Sequence, residues 1–150
     1  MLSHKQIQAR ERRLSAVHEA GHLVIARHLG VAAASAWIAP NENAGPEEKT
    51  WLGQMRVIGL PARRLSRRMI GVAGHVAVWA WMRADARDYF PDGLSDSDWR
   101  ITGDRADSWG AALLSAASRV RTLLDPDGGP LWPDLIAESR RLIVESRQLP

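Results

Sequence analysis

The sequence predicts a mainly helical α+β domain built on one long helix, with one small β-hairpin beside it. Three observations carry this expectation. From Lys5 to Leu29 the chain has no proline and only Gly21 as a glycine, and it then meets Gly30. A second segment, "MIGVAGHVAVWAWM" (69–82), is almost wholly apolar. Between them lie two short extended stretches around a loop rich in proline and asparagine. At 150 residues the chain fits a single domain (1–150) able to bury a sizeable core.

The first helix is expected over Lys5 to Leu29, with Gly30 as its left-handed stop. "ASAWIAP" (34–40) and "TWLGQMRVIGL" (50–60) read as two strands. "PNENAGPEEK", held between Pro40 and Pro46, is their loop. After Pro61 a second helix runs from about Arg63 to Ala84, and "DARDYFPDGLSD" (85–96) is turn-rich. A third helix starts near Ser97 and extends towards Leu124, with a break expected at Gly103 or Gly110. "DPDGGP" (125–130) ends it, and a last helix covers Trp132 to Ser146. Seven tryptophans between Trp37 and Trp132 are assigned by default to core and interface.

Composition narrows the chemistry. Hydrophobic residues make up 45% and charged residues 25%, ordinary values for a water-exposed globular fold. There is no cysteine, so disulfides and thiolate metal sites are excluded, and any metal must be held by histidine and carboxylate. The polar start "MLSHKQIQARERRL" lacks the apolar centre of a secretory signal, and the apolar run at 69–82 is shorter than the ~20 residues that span a bilayer. A cytoplasmic protein with no membrane segment is expected. Net charge is only +3. The basic cluster "ARRLSRR" (62–68) is read as a solvated helix start, because no nucleic-acid-binding motif accompanies it.

The chemistry concentrates in "AVHEAGHLVIARHLG" (16–30). On a helix, residues four apart lie about 40° apart and one turn along the axis. His18 and His22 can therefore aim their imidazoles at one ion. Glu19 flanks them without ligating, placed to act as general base. Zinc lowers the pKa of a water it holds towards ~7, and a neighbouring carboxylate can take that water's proton as it attacks a carbonyl. Gly21 and Ala20 leave room for another element to pack beside the ligands, although a mid-helix glycine costs ~1 kcal/mol relative to alanine.

A third protein ligand is required, and two candidates lie close in sequence. His28 completes the spacing HExxHxxGxxH, but Ile25 stands where that pattern has glycine, and a β-branched residue resists the left-handed turn. With the helix continuing, His28 lies about 9 Å along and about 120° around from His22, out of reach. Glu42 follows Asn41, as the ligand glutamate of thermolysin-like enzymes follows an asparagine. Pro40 and Pro46 frame it, however, so the helix that would carry it cannot form.

The same stretch resembles the peptidase domain of the FtsH-type zinc metalloproteases, ATP-dependent proteases of bacteria and organelles. Later segments follow that family's order. "WIAP" and "WLGQMRV" stand in place of its small sheet, and "IGVAGHVAVWAW" in place of its apolar helix. "LSDSDWRIT" stands where the family's ligand segment lies, with Asp98 followed by apolar Trp99 and with Thr102 at the threonine position. The resemblance spans roughly residues 10–124 and is strongest at "HEAGH". It implies a helical zincin-like fold, zinc as cofactor, Asp98 as third ligand beside His18 and His22, and peptide-bond hydrolysis. Read from the residues alone, Asp98 is equally an ordinary first-turn acid of a helix, capped by Asp96 or Ser97, and Asp96 is the alternative ligand.

Two departures from the family shape the expectation. Neither membrane segments nor an ATPase module accompany the domain, so a stand-alone relative is expected. It would cut flexible peptides, or proteins delivered by a separate ATPase or adaptor chain; a homo-oligomer is also compatible, since the family works as rings. The family's glutamate in the apolar helix falls here at Val78 or Trp79, with His75 at its arginine position. His75 is read as a core histidine. Support for the ligand histidines is therefore sought in another aspartate of the 85–107 region. Zincins commonly bind substrate as an added strand, which makes Trp51, Leu52, Gly53 and Gln54 the candidate substrate-binding residues, Gly53 allowing close backbone approach. The rival reading is a non-catalytic, metal-stabilised regulatory or interaction module derived from a peptidase domain. A second rival, nucleic-acid binding through Arg63 to Arg68, predicts steep salt dependence.

Overall fold

The computed structural model describes residues 1–83, 94–106 and 108–146. Helix α1 spans His4–His28. Ser3 accepts from the Gln6 backbone N–H while the Gln6 side chain returns a bond to Ser3, closing a capping box. At its other end Gly30 adopts φ 86°, its N–H donating to Arg27 O and the Val31 N–H to Ala26 O. That pair of bonds is the left-handed glycine stop expected from the sequence, and it turns the chain directly into the sheet.

Strands β1 (Ala33–Pro40) and β2 (Trp51–Ile58) pair antiparallel, with Ala33 opposite Ile58 and Pro40 opposite Trp51. The Asn41 N–H donates to Thr50 O, so Asn41 and Thr50 form a hydrogen-bonded pair. The next pair, Pro40 and Trp51, is then of the non-bonded kind, where proline's missing N–H costs nothing. By the same alternation Gly53 and Met55 turn their backbone groups away from β1. The Trp51 carbonyl likewise faces outward and accepts from Ser15 Oγ of α1 at 3.4 Å.

Helix α2 (Arg64–Trp81) lies along α1. The close packing expected at Gly21 is present: a Cβ there would stand 2.5 Å from Ala77 Cβ and 2.7 Å from Ala73 O. The expected third helix is two. Helix α3 (Asp96–Thr102) ends at Gly103 in a left-handed conformation, and α4 (Ala111–Leu123) starts afresh after Gly110, so the chain breaks at both glycines rather than one. Ser95 caps α3, not Asp96 or Ser97. Helix α5 (Trp132–Ser146) returns against α1 and β1. Ala84 and most of the turn-rich segment 85–96 lie outside the described residues.

The core gathers Leu23 and Ile25 of α1, Ile38 of β1, Ile70, Val72 and Val76 of α2, Leu113 and Val120 of α4, and Leu135 and Leu142 of α5. Each large aliphatic side chain sealed this way contributes about 1.5–3 kcal/mol. Among the tryptophans Trp99 is buried, whereas Trp37 is about half exposed and lies outside the core. Among the described residues no helix is long and apolar enough to cross a membrane.

Candidate metal centre

Residues 18–22 sit in the half of α1 that is buried against α2 and β2. His18 and His22 lie one turn apart on the same face, and their Nε2 atoms approach to 3.2 Å. Asp98, in the first turn of α3, reaches the same point from across α2. Its Oδ1 lies 3.0 Å from His22 Nε2 and its Oδ2 3.5 Å from His18 Nε2. The first-turn role is real as well: Asp98 completes the capping box with Ser95, its Oδ2 accepting from the Ser95 N–H at 3.3 Å. Asp96 is exposed and takes no part.

These separations can be compared with what an ion would require. Ligands held at 2.0–2.1 Å in a tetrahedron lie about 3.3–3.4 Å from one another. His22 Nε2 stands 3.2 Å from His18 Nε2 and 3.0 Å from Asp98 Oδ1, near that value, while the contact to His18 is made by the other carboxylate oxygen; taken one atom per residue, the three groups lie within 4.8 Å of one another. Among the described residues His18, His22 and Asp98 form the group of metal-ligating side chains that could hold an ion. His28 is exposed at the end of α1, and Ile25, fully buried inside the helix, shows why: α1 runs straight past the point where the chain would have to turn. Glu42 is exposed in the loop after β1, lining a different, smaller cleft with His4 and Gln8.

His22 is oriented from behind. Its Nδ1 lies 2.7 Å from the carbonyl oxygen of Ile70 in α2. A carbonyl can only accept, so Nδ1 carries a proton, which leaves Nε2 as the ring atom that faces Asp98 and His18 and can either ligate an ion or hold a second proton. The orienting group is thus a backbone carbonyl of the apolar helix, where an aspartate of the 85–107 region was expected. Residues 84–93 and 107 of that region lie outside the described residues. No family model and no curated protein matches this chain.

Without a cation the site holds protons instead. Burial opposes a charge on His22, but the hydrogen bond and negative charge of Asp98 outweigh it and push His22 up to about 9. Asp98 shows the converse: burial would raise it, yet hydrogen bonds to His18 and His22 hold it well below the usual carboxylate range. A buried carboxylate bound to a shared proton is a place where a divalent cation can substitute.

Glu19 is buried beside this group and outside the ligand set. Burial pushes its carboxyl up, partly offset by His22 and His18. Gly53 of β2 lies over it: a Cβ at 53 would fall 2.5 Å from Glu19 Cγ and 2.9 Å from Oε1. The close approach expected of Gly53 towards a ligand is therefore made first to Glu19. Gly74 of α2 plays the matching part under the histidines, where a Cβ would stand 2.5 Å from His22 Nε2 and 2.6 Å from His18 Nε2. No spacing in the sequence marks Gly74 or the Ile70 carbonyl; the two glycines of "GVAG" are the faint signal that something packs closely there.

The centre opens into a cleft of about 980 Å³ between α1 and β2. Trp51, Leu52, Gly53 and Gln54 all line it, with Trp37 and Met55 beyond. Thr50, at the head of β2, is tied to α1 through Glu11, whose Oε2 accepts from Thr50 N–H and Oγ1–H at 2.5 and 2.6 Å. The Arg12 guanidinium lies over the Trp51 ring, 4.8 Å from its centroid. His75 lines the cleft half-buried, not in the core as expected, and stands outside the ligand group. Three arginines of the basic cluster bond within the chain: Arg67 to the last carbonyls of α3, Arg68 to Asp104, and the exposed Arg64 to both Gly103 O and Asp104.

Proposed function

We propose that this chain is a zinc-dependent peptide hydrolase of the FtsH-type peptidase kind, with His18, His22 and Asp98 as ligands and Glu19 as general base. The observation that carries the reading is the convergence of the Asp98 carboxylate on two histidines 76 and 80 residues earlier, so that one ligand atom from each of the three lies within 4.8 Å of the others. When bound, zinc would polarise the scissile carbonyl and acidify water, the Lewis-acid role such ions play. Glu19 would take the proton of the attacking water and hand it to the leaving amine. Its upward-shifted carboxyl brings base and conjugate acid closer to the working pH, which suits both transfers. The outward backbone groups of Gly53 and Met55 would hold an extended substrate as an added strand, with Trp51 and Trp37 offering apolar surface to its side chains. Flexible segments, or proteins presented by a partner ATPase or adaptor, are the substrates such a cleft admits.

A pure metal-binding module has no use for a glutamate buried against the ligands at the expense of its hydration, which favours catalysis over the regulatory reading. Metal analysis of wild type, His22→Ala, Asp98→Ala and Glu19→Gln beside cleavage of an unfolded protein tests this. Asp98→Ala and His22→Ala should bind zinc much more weakly, whereas Glu19→Gln should keep its affinity and lose cleavage. Full zinc retention by Asp98→Ala would sink the ligand assignment, and undiminished cleavage by Glu19→Gln would sink the mechanism. Zinc bound by wild type without cleavage of any unfolded substrate would establish the regulatory module instead.

A further inference from the structure

We propose that Arg64, Arg67 and Arg68 are positioning residues that, through Asp104 and the C-terminal carbonyls of α3, set the place of Asp98 at the metal centre; this rests on Asp98 being a ligand. Helix α3 has seven residues, too few to be stable as an isolated helix, which in water needs roughly 12–15. Yet metal–ligand distances tolerate only about 0.2 Å. The capping box with Ser95 is internal to α3 and cannot fix where the helix sits. Two sets of contacts with α2 can.

On the buried side Thr102 packs against Gly71, where a Cβ would overlap the Thr102 methyl and lie 2.9 Å from the Asp98 carbonyl. At the C-terminal end three arginines close on the helix. Arg67 Nε donates to Ile101 O at 3.0 Å and its Nη2 to Arg100 O at 3.1 Å, the latter shared with the Gly103 N–H, so both carbonyls at the helix end are held by α2. Arg68 grips Asp104 with two parallel bonds of 2.9 and 3.1 Å. Arg64 Nη2 bonds both Gly103 O at 3.2 Å and Asp104 Oδ1 at 3.1 Å. Gly103 suits this end twice over: it holds φ 74°, and a Cβ there would stand only 3.1 Å from Arg67 Cζ. The same helix α2 supplies the Ile70 carbonyl that orients His22. One element therefore sets a ligand from α1 and a ligand from α3. The cluster that read as a nucleic-acid candidate is engaged with its own chain.

The test is a double-mutant cycle on zinc affinity, measured in the full chain by chelator competition well below each variant's unfolding midpoint. Asp104→Asn should weaken zinc binding by about 10–100-fold, the range for lost support of a ligand. In an Asp98→Ala background the same substitution should cause no further loss, because the clamp acts only through Asp98. An unchanged affinity in Asp104→Asn, or an equal loss in both backgrounds, would overturn the proposal. If Asp104→Asn fails to fold, Arg67→Met, which leaves Asp104 paired, enters the same cycle with the same two criteria. Unchanged affinity in Asp98→Ala alone would instead overturn the ligand assignment beneath it, a separate result.

Discussion

Gly74→Ala separates the metal centre from the fold around it. The added methyl would stand 2.5 Å from His22 Nε2 and 2.6 Å from His18 Nε2, whereas ordinary contact begins near 3.4 Å. Each nitrogen must therefore retreat by about 0.8–0.9 Å, roughly four times the ~0.2 Å tolerance of a zinc–ligand distance. His22 has little freedom to comply, since its far side is bonded to Ile70 O. Overpacking typically costs about 1–3 kcal/mol, while replacing a mid-helix glycine by alanine returns about 1 kcal/mol. The metal-free protein should lose only ~0–2 kcal/mol, a fall in Tm of roughly 0–8 °C for a chain of this size. Zinc affinity should fall by at least ~100-fold, the upper end seen when an orienting partner is removed. Thermal melts of the metal-free variant and a zinc titration against a chelator read the two quantities separately. Zinc binding by Gly74→Ala within about threefold of wild type would refute the placement of these ligand atoms, whatever the melting temperature.

Gly53→Ala should act on the other side of the site, displacing Glu19 while leaving the ligands alone: zinc affinity holds within a few-fold and cleavage falls towards the ~10²–10⁴-fold limit of general-base loss. Parallel losses of both would show that β2 supports the ligands rather than the base. Ser95→Ala removes the cap of α3, the Oγ that accepts from the Asp98 backbone N–H, and should cost about 0.5–2 kcal/mol of stability; because the Ser95 N–H still donates to the Asp98 carboxylate, zinc affinity should hold within a few-fold, and a loss of tenfold or more would show that the cap, not the clamp, places Asp98. The metal-free protein should also show a bounded pH range of stability. His22, raised to about 9 from an unfolded value near 6.5, contributes fully below about pH 6.5 and loses its contribution as pH rises through about 9. Asp98, depressed from 3.8, contributes above that value and loses it as pH falls further. Denaturant midpoints of wild type and His22→Ala across pH should differ in their alkaline limb, and identical profiles would contradict the shared proton.

The sequence was most informative where chemistry repeats at helical spacing. His18, Glu19 and His22 announce a metal half-site because one turn of helix relates them, and Ile25 already tells that the helix does not stop for His28. Gly30 and the prolines around the loop mark their own conformations, so α1 and the hairpin were legible too. Asp98 became visible only through resemblance, because nothing local distinguishes a ligand aspartate from a first-turn acid, and in this structure it is a first-turn acid whose carboxylate also meets both histidines. The orienting group of His22 could not be read at all, since a backbone carbonyl carries no residue signature. Gly53 and Gly74 matter through atoms that belong to other elements, a relation that periodicity cannot record. The arginines at 64, 67 and 68 looked solvent-facing by composition, and only the fold shows that the partner of Arg64 and Arg68 is Asp104.

Diffraction from zinc-soaked crystals on both sides of the zinc absorption edge tests the central claim most directly. An anomalous peak within about 2.0–2.2 Å of His18 Nε2, His22 Nε2 and an Asp98 carboxylate oxygen, with Glu19 outside bonding distance, is the expected result. A peak ligated by Glu19, His75 or His28 in place of Asp98, or no peak between α1 and α3, would contradict it.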